Sequence, residues 1–154
     1  RSRPLGGVFD QKIAIFITQS HMRMSTLKDL PKARNYFEDK IYNEVLCMDT
    51  SKSIGDIINK VSAFVEVEGR SITTSQLRNI YARIKKANSP EELQLLRPVL
   101  AYTSARQKGD GGKIIIALLD DLIQKIKDEK QVASFQTFAE AIVAYHKYHH
   151  PKQS

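Results

Sequence analysis

Between residues 53 and 92 the chain carries the same helix-start signature three times. Ser53 stands three positions before Asp56, Thr73 three before Gln76, and Ser89 three before Glu92, with Pro90 directly after the last cap. A Ser or Thr oxygen accepting from the backbone amide three residues on, with an acid or amide reaching back, satisfies donors that a helix start leaves open. Proline suits the first helical position because its missing N–H would have no partner there. Each start precedes apolar residues at helical spacing: Ile54, Ile57, Ile58, Val61, Phe64 and Val65; then Leu77, Ile80, Tyr81 and Ile84; then Leu93, Leu96 and Leu100. A chain punctuated in this way is committed to helices packed by their apolar stripes.

The flanking sequence extends the pattern. Pro31 followed by Ala33, Phe37, Ile41, Val45 and Met48 reads as one helix beginning at Asp29. Gly69 suits the position just past the end of the Ile54 helix. Pro98 lies inside the apolar pattern that follows Pro90, so a kink or local break is expected there. The stretch GDGGK at 109–113 reads as a loop opening a helix over 113–130, and a last helix is expected from Ser134 to about His149. In the 113–130 helix Ile115, Leu119, Leu122 and Ile126 share a face that Ile114, Ile116, Leu118 and Ile123 widen beyond what a surface helix needs. That surplus is assigned to contacts with neighbouring copies. Trp is absent and there are only seven Gly, which argues against a many-stranded β fold. The fold class is therefore all-α, a compact bundle of five to six helices. Residues 25–154 form its single domain, and residues 1–24 are read as a tail or arm, RSRPLGGVFD being in part vector-derived sequence. The run IAIFI at 13–17 is read as helix or extended arm.

Charge is the second organising feature. The chain has a formal net charge of +7, and residues 70–113 hold nine Lys or Arg against three acids. Such a concentration points to an anionic partner. Arg78 and Lys85 are seven residues apart and fall on one side of their helix, with Lys86 beside them, while Lys108 and Lys113 bracket the following loop. A row of this kind neutralises phosphates without reading sequence. Arg106, seven residues after Val99 and four after Tyr102, continues a stripe expected to be partly covered. An ion pair between Arg106 and Glu140, an acid set among Ala139, Ala141 and Ile142, is therefore expected.

The search for reaction chemistry is negative. Asp120 and Asp121 are adjacent on a helix and point about 100° apart, poor geometry for a carboxylate pair, so they are read as a solvated edge. Cys47, the single cysteine, has no histidine nearby in sequence and is read as a small covered thiol. It rules out an internal disulfide framework and fits a cytoplasmic setting. His146, His149 and His150 have ligand-like spacing but no Cys or carboxylate beside them, and are read as favourable charge at a helix C-terminus. GDGGK is not a nucleotide-hydrolysing loop: Gln107 stands where the first glycine belongs and Ile114 where a Ser or Thr belongs. The amides of Gly111 and Gly112 with Lys113 remain an anion-receptive helix start. No enzyme, cofactor or metal is expected, and no apolar run approaches the ~18 residues of a membrane span.

Three stretches in order, TSQLR at 74–78, LAYTSAR at 100–106 and FQTFAEAIVAYHKY at 135–148, carry a resemblance. Over residues 71–147 the chain resembles the small helical subunit of the type III-A CRISPR interference complex, the Csm ribonucleoprotein. The resemblance implies a non-catalytic subunit. Copies would stack as a minor filament beside the guide-bearing subunits and line the channel that holds guide RNA and target RNA. It implies contacts to the RNA backbone from Arg78 and Arg106 first, then from Lys85, Lys86, Lys108 and Lys113. The other Csm subunits are the implied partners, with self-association, as a homodimer, in isolation. Two alternatives stand beside it: the small subunit of a type III-B complex, and a helical protein–protein adaptor that binds no RNA.

Overall fold

The computed structural model describes residues 27–50 and 52–153. The expected arm at 1–24, with the 13–17 run, lies outside the described residues. Those residues fold as helices α1 (Leu30–Ala33), α2 (Asp39–Val45), α3 (Ile54–Glu68), α4 (Thr74–Lys86), α5 (Pro90–Gln94), α6 (Arg97–Ala105), α7 (Asp110–Lys125) and α8 (Glu129–His149), with no strand among them. The all-α expectation holds.

At the centre lies α7, which packs against α1, α3, α5, α6 and α8. Every residue from Ile114 to Ile123 is buried. The over-wide apolar face thus belongs to this chain's own core and is not left for neighbouring copies. Its width follows from position, because a helix covered on all sides needs apolar residues all round. Truncating one of these side chains, such as Ile116, costs about 2–5 kcal/mol once the cavity left behind is included. Beside α7, α3 and α4 both pack on α8. Phe37, Phe64 and Phe138 meet edge to face there, with ring centroids 5.3 and 5.7 Å apart.

The boundaries differ from the sequence reading in three places. The helix expected from Asp29 to Met48 is two short ones, with Arg34–Phe37 as a turn between them. Ala33, Phe37, Val45 and Met48 still reach the core, but Ile41 is only partly buried and Tyr42 is buried beside it, so the apolar spacing reported most of the burial correctly and continuity wrongly. Helix α7 opens at Asp110 and stops at Lys125, and α8 begins at Glu129, five residues ahead of Ser134. The Asp128 side chain accepts from the Gln131 amide at 2.8 Å and sets that start. The break implied by Pro98 is real: the chain turns at Leu95–Leu96, and Pro98 sits in the first turn of α6, where its missing N–H costs nothing.

Candidate nucleic-acid interface

Helix α4 is fixed at both ends. At its start the Thr73 hydroxyl accepts from the Gln76 amide at 3.1 Å, and the Gln76 side-chain oxygen accepts from the Thr73 amide at 3.1 Å. At its end Gln136 of α8 donates to the carbonyls of Ile84 (3.1 Å) and Ala87 (3.0 Å), acceptors that a helix terminus leaves open. Thr74, Leu77, Ile80 and Ile84 face inward, so Arg78, Asn79, Arg83, Lys85 and Lys86 are exposed.

The exposed side has two edges. Arg78 and Lys85 share the one nearer α8, beside Tyr81, whose hydroxyl reaches Glu140 at 3.4 Å. Asn79 and Arg83 lie on the other edge, facing α6. Between α4 and α6 runs a groove of about 320 Å³, lined by Gln76, Asn79, Ile80 and Arg83 from one helix and by Val99, Tyr102, Thr103 and Arg106 from the other. The Arg106 guanidinium lies over the Tyr102 ring, 5.6 Å from its centroid. Tyr102 is 64% exposed.

The remaining predicted cations lie elsewhere. Lys108 is exposed in the loop before α7. Lys113 is half-buried and lines a separate hollow with Asp29, Ala101 and Ser104. The six residues therefore form no single wall: Arg78, Lys85 and Lys86 share the outside of α4, Arg106 joins the groove, and the two lysines flank the start of α7. Among the described residues none of the six pairs with an acid. Sequence reasoning missed Arg83 as a groove residue. Its signal is the seven-residue step from Gln76 and the four-residue step from Asn79, which trace the edge opposite Arg78.

The expected Arg106–Glu140 pair does not form. Glu140 is exposed on α8 and faces α4, whereas α6 packs on α7, so the two charges belong to different sides of the fold. The anion-receptive reading of the α7 start also fails. The Gly112 amide donates to Ser71 Oγ at 3.3 Å, and a Cβ on Gly111 would lie 2.0 Å from the Glu68 carbonyl oxygen. The end of α3 fills that space, and only glycine allows so close an approach.

Asp120 and Asp121 are no solvated edge either. Each is 2% exposed. Asp120 accepts from Arg97 Nε at 3.1 Å and from Gln124 at 3.0 Å; Asp121 accepts from Arg34 at 3.0 Å and lies 3.7 Å from Lys125. Burial raises the Asp120 carboxyl above its ordinary range, and the Arg97 charge pulls it back in part. Cys47, expected to be covered, is exposed.

The C-terminal histidines are structural. His146 is fully buried, its Nε2 donating to the carbonyls of Gly69 (2.9 Å) and Ile72 (2.8 Å) while Nδ1 faces the Thr74 hydroxyl at 3.3 Å. Burial lowers its pKa, which keeps the ring neutral. His149 meets Ser62 at 2.9 Å, and His150 reaches the Val65 and Glu66 carbonyls at 3.1 Å. Together they latch the end of α8 onto the end of α3. Among the described residues no group of three or more metal-ligating side chains is found, and no helix is long and apolar enough to cross a membrane.

Fold and surface together define an all-α protein that carries, among its exposed cations, a cluster without acid partners among the described residues, on the outside of α4 and at the end of α6. Comparison with protein families adds the particular assignment. The family model described as Csm2 Type III-A matches residues 49–152, and the chain belongs to that family. It is a small subunit of the type III-A Csm complex, associated with the other subunits of that complex. The match covers α3 through α8, well beyond the 71–147 span of the resemblance. No curated protein and no solved structure matches the chain.

Proposed function

We propose that this chain is the RNA-contacting structural subunit of its complex, lining the guide and target RNA channel through phosphate contacts from the exposed cations of α4 and α6. One observation carries the reading. Arg34, Arg97, Lys32 and Lys125 each pair with an acid, whereas Arg78, Arg83, Lys85, Lys86 and Arg106 pair with none among the described residues. Cations left without acids beside them attract a partner that brings negative charge. A subunit that follows a strand whose sequence is read by base pairing needs shape and phosphate recognition only. Stacking of copies in a minor filament belongs to the same reading and rests on the family.

The test is single-stranded RNA binding by the full chain at ~50 and ~200 mM salt, where several phosphate contacts give a steep loss of affinity. Arg78→Ala with Lys85→Ala is expected to weaken binding and flatten the salt dependence. Absent or salt-insensitive binding, or binding unchanged in that variant, would favour the protein–protein adaptor instead.

A further inference from the structure

The α4–α6 groove has more chemistry than phosphate neutralisation requires. Phosphates need cations at a surface, yet Tyr102 stands 64% exposed in this concavity. An aromatic ring left open to water has given up burial that the core would have rewarded. Arg106 covers one side of the ring from 5.6 Å, holding it and adding positive charge beside it. Across the groove Arg83 supplies a second guanidinium, and Asn79 supplies an amide with both donor and acceptor. The Gln76 side-chain oxygen is engaged by the Thr73 amide, which fixes the carboxamide at the groove wall. Ring, guanidinium pair and fixed amide match the parts of a nucleotide: base face, phosphate and base edge. At about 320 Å³ the groove lies at the small end of ligand pockets, a volume too small to enclose a duplex.

We propose that the groove between α4 and α6 is a nucleotide subsite, in which one unpaired RNA base stacks on Tyr102 while its phosphate lies on Arg83 and Arg106. The proposal rests on the RNA-binding reading above and adds to it a base contact that no row of lysines provides. Stacking tolerates every base because each has a π-face, so the subsite favours unpaired over paired nucleotides without selecting sequence. Asn79, able to donate or accept, imposes no single base edge.

The experiment uses the full chain and a uridine-rich single-stranded RNA carrying one 2-aminopurine, whose fluorescence is quenched by stacking. Binding is expected to quench it. Tyr102→Ala is expected to abolish the quench and weaken affinity about tenfold, whereas Tyr102→Phe retains both. With a strand of the same length made abasic at every position, the alanine variant and the parent chain should bind equally, and the melting temperature of Tyr102→Ala should match the parent. Unchanged quenching and affinity in Tyr102→Ala, with salt-dependent binding intact, would overturn the subsite and leave the phosphate reading standing. If the parent chain binds no RNA, both fall.

Discussion

Arg97 and Arg106 stand at the two ends of the nine-residue helix α6. Arg97 is tied to the buried Asp120 at 3.1 Å, whereas Arg106 lies over an exposed tyrosine at the mouth of a groove. The same side chain serves the fold at one end and the surface at the other. What separates them is the neighbour each meets: α7 brings the buried Asp120 to Arg97 at the start of α6, whereas Asp110, at the start of α7, pairs with Lys32 and not with Arg106. The contrast extends to Arg34, which pairs with Asp39 and Asp121, and to Arg78 and Arg83, which pair with no acid among the described residues. Cations paired in this way are part of the architecture, and cations left over are available to a partner.

The largest effect that would break this contrast is on stability. Arg97→Ala leaves Asp120 buried without its cation and is expected to destabilise the fold by about 3 kcal/mol, a drop in Tm of roughly 10 °C for a chain of this size. Arg106→Ala is expected to stay within about 0.5 kcal/mol of the parent, as exposed substitutions do. Equal melting losses in the two variants, by calorimetry or denaturant titration, would erase the distinction. The reverse ordering should hold for RNA: Arg83→Ala with Arg106→Ala lowers the log–log salt slope by about 1 for each cation removed, and Arg97→Ala leaves the slope of the folded fraction unchanged.

A smaller effect concerns the latch that places α8, and through Gln136 the end of α4. The His146 pKa is lowered by burial, so the unfolded chain takes up the proton first. Stability is full above the ordinary histidine pKa of about 6.5 and is eroded as pH falls from there toward the depressed folded value. Denaturant titrations at stepped pH should show this loss, and His146→Gln, whose amide can still donate to Gly69, should flatten it. A His146 ring that titrates in the folded protein at or above about 6.5 would contradict the neutral latch.

Much of this architecture was legible in the sequence, for physical reasons that also mark where legibility stops. The Thr73–Gln76 and Ser89–Glu92 caps and the Pro98 break are local, their chemistry contained within four residues, and all three appear in the structure. The burial of Asp120 and Asp121 was not legible, because it depends on Arg34 and Arg97, 87 and 23 residues away. Periodicity misread the wide face of α7 for the same reason: it reports how much apolar surface a helix carries, not which element covers it. The basic segment was visible as a concentration of charge. Its division into an Arg78–Lys85 edge and an Arg83–Arg106 groove required knowing that α6 lies alongside α4.

The most direct measurement of whether the leftover cations serve RNA is made on the assembled type III-A complex reconstituted with Arg78→Ala/Lys85→Ala in this subunit. The complex is expected to assemble with its normal subunit content and to bind target RNA with a log–log salt slope lowered by about 1 for each cation removed from each RNA-contacting copy. A complex that loses subunits while its remaining RNA affinity and slope stay unchanged would contradict the account, and would make those cations protein contacts.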